Sequence, residues 1–364
     1  MRIVEFTNGT LRFLEQLPAQ APPRGFVWIY LERDTLQADM AGLQAAAQAL
    51  GGSAVLDLHL QDLANREHPS SYDYTSVYDL LVFRRLATEA EVRAEAGTAL
   101  PAADSPLAGF ARIRSRAVGF AVFDRLLISV HPPGCYTAET FVRRFLNDAV
   151  QSDGLLVART RLPASPVDLM LRMLNVMVDS YLDLRKELST ELDAWQKDLL
   201  APRPRGADWR AFMTARAALQ ALQDLCEGQN DAMQEWLDAQ REQPPVAPSP
   251  GEHEAILARA RDLIEHIQRV SQHVHRMERG AETAVQIHFS ALSHRTNEIM
   301  RVLTALTAVF LPLNFITGFF GMNFEFLPLI HSTWGLWATL AVMAAVLVLV
   351  LALFWRKRYL ARVR

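Results

Sequence analysis

This sequence contains few cysteines and carries little net charge. Its 364 residues include two cysteines, Cys135 and Cys226, which lie far apart. That spacing excludes a disulfide framework and a cysteine-rich metal motif, so we expect a reducing compartment. The formal net charge is −3. The chain therefore lacks the strongly basic character that would indicate a nucleic-acid partner.

Motifs of the common enzyme classes are missing as well. The sequence contains no glycine-rich phosphate loop that ends in Lys-Ser or Lys-Thr, no nucleophile elbow and no HExxH zinc motif. We therefore expect that the chain is not an enzyme, that it has no cofactor and that ATP does not drive it. Two other classes stay open at this point: an enzyme with a membrane anchor and a structural membrane scaffold.

The N-terminal part, residues 1–165, lacks the long apolar core of a secretory signal, so we expect it in the cytoplasm. Short apolar runs alternate here with a helical pattern between Leu36 and Leu50. Strands are predicted at 25–31, 54–58, 77–86, 118–123 and 126–130, a second helix at 137–150 and a surface loop at 97–109. The pattern predicts an α+β domain whose sheet is covered by helices.

From residue 166 onward the pattern is helical. Residues 166–250 predict an antiparallel helical hairpin, and 251–301 predict a long stalk helix without proline. Apolar residues of the stalk alternate spacings of four and three, namely Ile256, Ala260, Leu263, Ile267, Val270, Val274, Met277, Ala281 and Ala284. This is the repeat of a supercoiled helix and predicts several copies around one axis. A plain packing face between two helices is the alternative.

Two uncharged segments near the C-terminus each have the length needed to cross a bilayer. Residues 302–320 and 334–355 contain no charged residue, and about 20 apolar residues span the hydrocarbon core. The tryptophans Trp334, Trp337 and Trp355 are typical of membrane interfaces. We therefore predict an integral membrane protein with two spans in contact with lipid.

Basic residues predict the orientation of both spans. Arg295 and Arg301 precede the first span, and the tail at 356–364 is rich in Arg and Lys. The loop at 321–333 contains neither. The positive-inside rule therefore predicts that both termini are cytoplasmic and that this loop is outside, in a plasma membrane such as the bacterial inner membrane.

The first span has one polar side. Three-four spacing places polar, small or flexible residues on one stripe, whereas Val302, Phe310 and Phe315 elsewhere are bulky and apolar. The stripe, called here the polar stripe, consists of Ser290, Ser293, Asn297, Met300, Thr304, Thr307, Leu311, Asn314 and Gly318. A polar stripe in a membrane span predicts an ion pathway, and hydrogen bonding between packed helices is the alternative.

The polar stripe contains no acidic residue. Magnesium releases its water reluctantly, and neutral amides and hydroxyls can accept hydrogen bonds from the water shell of a hydrated ion. We therefore expect the ion to pass with much of its hydration retained. Met300, together with Leu303 or Leu311, is a candidate for an apolar constriction that gates by dewetting.

The segment after the first span carries a family resemblance. Gly321, Met322 and Asn323 stand at its outer end, with Pro312 nine residues before Gly321. Together with the stretches at 297–304 and 310–318 and the two terminal spans, these residues resemble the CorA magnesium transporter family. The close match covers residues 252–364.

The resemblance implies a homopentameric funnel whose long helix lines the pore. It implies that Gly321, Met322 and Asn323 form the outer mouth, where a ring of Asn323 amides holds the hydrated ion. By position, the pore and gate sites of the family fall on Asn297, Met300, Leu303, Leu311 and Asn314. Magnesium is then the expected substrate, with Co²⁺ or Ni²⁺ besides.

The resemblance also implies regulation by cytoplasmic metal. Asp262 is the candidate ligand on the stalk, with Glu265 beside it and Asp73 or Asp79 of a neighbouring copy as partner. A solvated stalk face is the alternative for these residues. Zinc transport, as in the related ZntB branch, is the alternative substrate; Met322 in the tripeptide favours magnesium.

Overall fold

The computed structural model describes residues 1–7, 10–96, 109–135, 140–141, 143, 149–152, 155–158, 162–199, 201, 209–242, 250–322 and 333–356. Contacts divide the chain into two compact units, Met1–Glu282 and Thr283–Arg364. The domain boundaries predicted after residues 165, 250, 301, 320, 333 and 355 stay predictions.

Among the described residues, the first unit contains one nine-stranded sheet. Its strands are β1 (Arg2–Thr7), β2 (Thr10–Leu14), β3 (Gly25–Glu32), β4 (Ser71–Tyr74), β5 (Tyr78–Leu86), β6 (Ser115–Phe123), β7 (Leu126–His131), β8 (Ala149–Ser152) and β9 (Leu155–Ala158). They lie in the order β4-β5-β6-β7-β3-β1-β2-β9-β8. Only β3 and β7 pair in parallel in this described sheet.

Strand β3 forms the middle of the sheet because it is apolar on both faces. Every side chain from Phe26 to Leu31 is buried. Gly25 opens the strand with a φ of 148°, and a Cβ at this position would overlap the carbonyl oxygen of Phe6 on β1. A larger residue at Gly25 is therefore incompatible with the pairing of β1 and β3.

Three α-helices lie between strands of the sheet in chain order, and every element that the structure describes after the last strand is a helix. Their bounds are α1 (Leu36–Ala46), α2 (Asp57–Ala64), α3 (Glu89–Ala96), α4 (Pro166–Leu199), α5 (Trp209–Glu242), α6 (Pro250–Phe320) and α7 (Thr333–Arg356). Leu43 and Ala46 of α1 join the core under β3. The sheet and these helices confirm the predicted α+β domain, long helix and C-terminal apolar helix.

One local prediction was wrong and a second was wrong at its end. No strand forms at 54–58, because residues 54–56 have no regular structure and α2 begins at Asp57. The helix predicted at 137–150 lies mostly outside the described residues; Thr140, Phe141 and Arg143 are helical, but Ala149 and Val150 belong to strand β8. The loop predicted at 97–109 lies outside the described residues except for Gly109.

The apolar repeat of the stalk is covered by the chain itself. Its members from residue 260 to 281 are buried, namely Ala260, Leu263, Ile267, Val270, Val274, Met277 and Ala281. Interhelical contacts accompany this burial: Tyr181 Oη on α4 lies 2.9 Å from His273 Nδ1, and Arg216 on α5 pairs with Glu282. The alternative reading, a packing face within one chain, is therefore correct for this stretch.

Candidate functional site

The second unit contains the two uncharged segments. Its described part consists of α6 from Thr283 onward and α7. Both helices are long and apolar enough to cross a membrane by length and composition. Large apolar side chains such as Phe315 on α6 and Trp334 on α7 are more than 70 % exposed. An exposed apolar surface of this kind indicates contact with lipid or with another protein surface, not with water.

Each helix of this unit has one less exposed side. On α6 this side comprises Ala305, Ala308, Val309, Pro312, Leu313, Ile316 and Phe320, and on α7 it comprises Gly335, Ala338, Thr339, Met343, Val346, Val350 and Phe354. Both sets follow helical spacing. Since the other helix is the only described element of this unit, these sides mark the packing of α6 on α7.

The polar stripe lies on the far side of α6. At about 100° per residue, its centre is roughly 145° from the side that packs on α7. Asn297, Thr304, Thr307, Asn314 and Gly318 are all exposed in the single chain. The polar positions therefore do not serve hydrogen bonding between α6 and α7, which was the alternative explanation within one chain.

The threonines of the stripe use their hydroxyl protons within the helix. Thr304 Oγ1 donates to the carbonyl oxygen of Met300 at 2.7 Å, and Thr307 Oγ1 donates to that of Leu303 at 2.9 Å. The hydroxyl oxygen of each keeps free lone pairs that point outward. These side chains therefore present acceptors, which suit the outward-pointing hydrogens of the water around a cation.

Apolar stripe members stand between the polar ones. Met300 is 54 % exposed and Leu311 is 67 % exposed. Leu303, also predicted as a gate residue, lies roughly 70° from the centre of the stripe, at its edge. A Cβ added at Gly318 would meet no atom within 4 Å, so packing within the chain does not require glycine there.

The predicted outer mouth is described only in part. The Gly321 amide donates to the carbonyl oxygen of Thr317 at 2.9 Å, and the Met322 amide donates to the carbonyl oxygen of Phe319 at 3.4 Å. These bonds finish the last turn of α6, and Gly321 and Met322 are exposed. Asn323 lies outside the described residues, so its predicted role stays a prediction.

The predicted regulatory residues differ in their surroundings. Asp262 and Glu265 are exposed on α6, and Glu265 lies 3.9 Å from Arg269. Asp79 accepts hydrogen bonds from Tyr72 Oη at 3.1 Å and Gln240 Nε2 at 2.9 Å. Burial raises the pKa of the Asp79 carboxyl, while the Tyr72 hydrogen bond opposes that rise. Asp79 is thus engaged within its own chain and is the weaker candidate.

Asp73 is the better placed of the two. Its carboxylate remains 59 % exposed, and its Oδ2 lies 3.1 Å from Nε2 of the buried His59. His59 Nδ1 in turn lies 2.7 Å from Tyr78 Oη, which accepts from the Leu56 amide. Because the Asp73 carboxylate can only accept, His59 Nε2 donates to it, and His59 Nδ1 lies beside the Tyr78 hydroxyl. Sequence reasoning missed this relay, because His59 and Asp73 lie on different elements.

The structure does not bring the four carboxylates together in one chain. Within the described ranges, no three His, Cys, Asp or Glu side chains are grouped closely enough to hold a metal ion. A site shared between copies was the prediction, and it remains one. The stalk histidines have structural partners instead: His266 faces Asp179 at 3.3 Å, and burial and the nearby Arg185 and Arg276 lower the pKa of His273.

Comparison with known proteins identifies the family. The family model described as "CorA-like Mg2+ transporter protein" matches residues 24–358. This chain belongs to the CorA family. Membership confirms the resemblance that the C-terminal motifs carry. The CorA family comprises membrane transporters, which supports the predicted membrane location and the expectation that the chain is not an enzyme.

Individual relatives agree in sequence or in fold. The cobalt/magnesium transport protein CorA of Thermotoga maritima is 27 % identical over 193 residues, which are 53 % of this chain and 52 % of that protein. The match thus spans about half the length of this CorA relative. The complete CorA structure from Methanocaldococcus jannaschii shares the fold, with a TM-score of 0.71, 17 % identity and 98 % coverage of both chains.

A ZntB cytoplasmic domain has a similar fold. The ZntB cytoplasmic domain from Vibrio parahaemolyticus aligns with a TM-score of 0.51 at 15 % identity, covering 82 % of this chain and 98 % of that domain. At this identity the likeness concerns the fold alone. The CorA fold therefore does not decide between magnesium and zinc.

Proposed function

We propose that this CorA-family chain is one subunit of an oligomeric channel that admits Mg²⁺ to the cytoplasm, with Co²⁺ or Ni²⁺ as further substrates. The ion moves down its electrochemical gradient through an axial path. The polar stripe of α6 lines that path, and α7 lies behind it toward lipid. The observation that carries this proposal is the position of the stripe, exposed and turned away from α7.

The chemistry of the stripe supports passage of a hydrated ion. Thr304 and Thr307 present acceptor oxygens because their protons are used internally. The amides of Asn297 and Asn314 add carbonyl acceptors. A cation that keeps its water shell donates hydrogen bonds outward, so it needs acceptors and not inner-sphere carboxylates. Met300, Leu303 and Leu311 supply apolar positions at which the path can dewet and close.

The mouth and the regulatory site complete the proposal. Gly321, Met322 and Asn323 form the outer selectivity site, where repeated Asn323 amides bind the hydrated ion. Cytoplasmic Mg²⁺ closes the channel by binding between Asp262 or Glu265 of one copy and Asp73 of the next. The exposure of Asp262 and the oriented, half-exposed carboxylate of Asp73 support this assignment.

Zinc transport is the second candidate. The fold likeness to the ZntB cytoplasmic domain allows it. Met322 in the middle of the tripeptide favours magnesium, as does the similarity to a cobalt/magnesium transport protein of Thermotoga maritima.

Flux through reconstituted liposomes tests the proposal. The purified full chain is reconstituted into liposomes that contain a fluorescent indicator. Mg²⁺, Co²⁺, Ni²⁺ and Zn²⁺ are added outside one at a time, with the liposome interior at a negative potential. We expect Mg²⁺ influx that depends on the potential and not on ATP. Influx of Zn²⁺ without Mg²⁺ would establish the second candidate, and no influx of any cation would refute a channel.

A further inference from the structure

A cleft of about 1020 Å³ lies at the carboxyl ends of β3 and β7, the two strands that pair in parallel. Arg33 follows β3, Pro132 follows β7, and helix α3 and Leu184 of α4 contribute to the walls. All of these residues belong to the first unit. Sites for small organic molecules have volumes of roughly 300 to 1,000 Å³. The described walls contain none of the residues proposed to line the ion path or to bind regulatory Mg²⁺.

The carboxylates of the cleft are already neutralised within the chain. Each of the five that line its described walls forms an ion pair with an arginine: Asp34 with Arg66, Glu67 with Arg84, Glu89 with Arg93, Glu91 with Arg85 and Glu187 with Arg112. Every pair uses a different arginine, so the five pairs together carry no net charge. Any further cation in the walls therefore makes the cleft attractive to anions.

Arg33 is such a cation, and it is buried. The residue is 7 % exposed. Its Nε donates to the carbonyl oxygen of Leu63 at 3.0 Å, and its Nη2 donates to that of Ala117 at 2.8 Å. These bonds use two of the five N–H groups of a guanidinium, and Nη1 has no hydrogen-bond partner among the described residues. Within the same residues no carboxylate forms an ion pair with Arg33, so its charge lacks a counterion.

The surroundings of Arg33 have a positive electrostatic potential. Burial and the nearby charges of Arg66 and Arg84 lower the pKa of Arg33 to about 10, while Asp34 opposes that change. The guanidinium therefore stays charged at neutral pH. A buried cation without a counterion is costly in free energy, and an anion bound in the cleft would remove that cost.

The rest of the wall combines a second cation with apolar surface. Arg114 is exposed, lines the cleft and has no ion-pair partner in the part of the chain that the structure describes. The apolar part of the wall, called here the apolar wall, consists of Leu86, Val92, Ile113, Pro132 and Leu184. Such a cleft suits a ligand that has an anionic group for the arginines and an apolar or aromatic body for the apolar wall.

We propose that the cleft binds a small organic anion, whose phosphate or carboxylate group contacts Arg33 and whose body lies against the apolar wall. An arginine pairs with either group through parallel N–H···O bonds, and the N–H groups left on Arg33 can supply them. Arg114 attracts the anion to the cleft from its exposed position. The site is separate from the ion path, so the proposal does not depend on the channel function.

Equilibrium dialysis of the purified full chain in detergent tests the proposal. The probes are adenosine monophosphate and 2-naphthoate, a phosphate and a carboxylate with aromatic bodies, together with their neutral counterparts adenosine and 2-naphthamide. EDTA is present so that no divalent cation bridges probe and protein. We expect saturable binding of at least one anion, and its neutral counterpart should bind at least about tenfold more weakly because it lacks the charge that Arg33 binds. Binding of only one anion shows which of the two groups is recognised.

Three variants locate the bound anion. Arg33→Gln removes the charge and should weaken binding of the anion at least about tenfold; circular dichroism checks that this variant is folded. Arg114→Glu changes an exposed residue and should weaken binding about threefold or more, because it repels the anion. Arg125→Glu is the matched control for Arg114→Glu, since Arg125 is exposed and directly precedes β7, at the opposite end of that strand from Pro132. It should bind the anion as wild type does.

Three results would overturn the proposal. The first is no saturable binding of either anion, and the second is equal binding of an anion and its neutral counterpart. The third is unchanged binding in a folded Arg33→Gln chain. If Arg33→Gln does not fold, the exposed pair decides: equal binding by Arg114→Glu and Arg125→Glu would overturn the proposal, and weaker binding by Arg114→Glu alone would support it.

Discussion

His131, at the end of β7, shows how burial sets the chemistry of a single residue. Its ring is fully buried and packs against Tyr30 and Phe120. Burial, with the positive charges of Arg85 and Arg33, lowers the pKa of His131 to about 3. The imidazole is therefore neutral in the folded protein at neutral and mildly acidic pH.

This burial predicts a loss of stability in acid. In the unfolded chain His131 titrates near its ordinary pKa of about 6.5, so below that pH the unfolded state binds a proton that the folded state does not. Stability should fall as the pH drops from about 6.5 toward 3, by about 2 kcal/mol at pH 5. Denaturant unfolding of the full chain, followed by circular dichroism at pH 7 and pH 5, measures the difference.

Two variants separate the titration from ordinary packing effects. His131→Phe keeps an aromatic ring and should remove this part of the pH dependence. Ser129→Ala breaks the 2.7 Å hydrogen bond from Trp28 Nε1 and should lower stability by a similar amount at both pH values, about 1 to 3 kcal/mol. Equal pH dependence in wild type and His131→Phe would show that His131 is not responsible.

Single residues of the candidate site could be predicted from the sequence only where local spacing identifies them. The polar stripe follows from helical periodicity alone, and its polar members are exposed in the single chain; its role in lining an ion path stays a prediction. The engagement of Asp79 by Gln240 joins positions 161 residues apart, which no local pattern reveals. The relay from Tyr78 through His59 to Asp73 was missed for the same reason.

At the scale of elements, the spacing of apolar residues distinguishes a helix from a strand only in long segments. The run at 54–58 is short and mostly apolar, and such a run fits a buried strand or the start of a helix equally well. The three-four repeat of the stalk was recognised correctly as a seam. Its partner was not, because a repeat does not state whether the helix that covers it belongs to the same chain.

A buried carboxylate connects α4 to α6. Asp168 is 6 % exposed and accepts from Arg172 Nη2 at 2.9 Å, and Arg259 on α6 also pairs with it. Asp168→Ala would leave two guanidinium groups without their shared anion. Because both arginines are partly exposed, water replaces part of the loss, and we expect destabilisation of about 2 kcal/mol.

A surface pair on the same helix provides the control. Glu254 lies 3.8 Å from Arg261, and both side chains are exposed. Glu254→Ala should change stability by less than about 0.5 kcal/mol. Thermal unfolding of the full chain in detergent compares the two, and an equally small effect of Asp168→Ala would mean that its ion pairs do not hold α4 on α6.

At the scale of the whole molecule, an open cation path requires a mechanism that closes it. Moving a divalent ion inward across 100 mV releases about 4.6 kcal/mol, twice the value for a single charge. A channel without feedback would therefore load the cell with cation. Binding of cytoplasmic Mg²⁺ can supply feedback only if the closed state binds it more tightly than the open state.

The exposed position of Asp262 allows a test of this feedback. Asp262→Lys should place a fixed positive charge at the proposed regulatory site, and inhibition by internal Mg²⁺ should be lost. Gln272→Lys, at another exposed position of α6, is the matched control and should retain inhibition. Patch recordings with internal Mg²⁺ varied measure both, and unchanged inhibition in Asp262→Lys would leave Asp262 as part of a solvated stalk face.

The central claim is that the polar stripe of α6 lines the cation path, and two threonines test it most directly. Thr307 lies on the stripe and Thr317 lies roughly 110° from its centre; both are exposed, and both donate to a helix carbonyl oxygen, at 2.9 Å and 3.1 Å. Thr→Val removes the hydroxyl at nearly constant volume, so each variant differs from wild type in one acceptor per copy. In Mg²⁺ flux assays on liposomes with matched protein content, Thr307→Val should reduce influx roughly tenfold, equivalent to about 1.4 kcal/mol, while Thr317→Val should match wild type. Wild-type influx through Thr307→Val, or equal loss in both variants, would contradict the assignment of the path to this stripe.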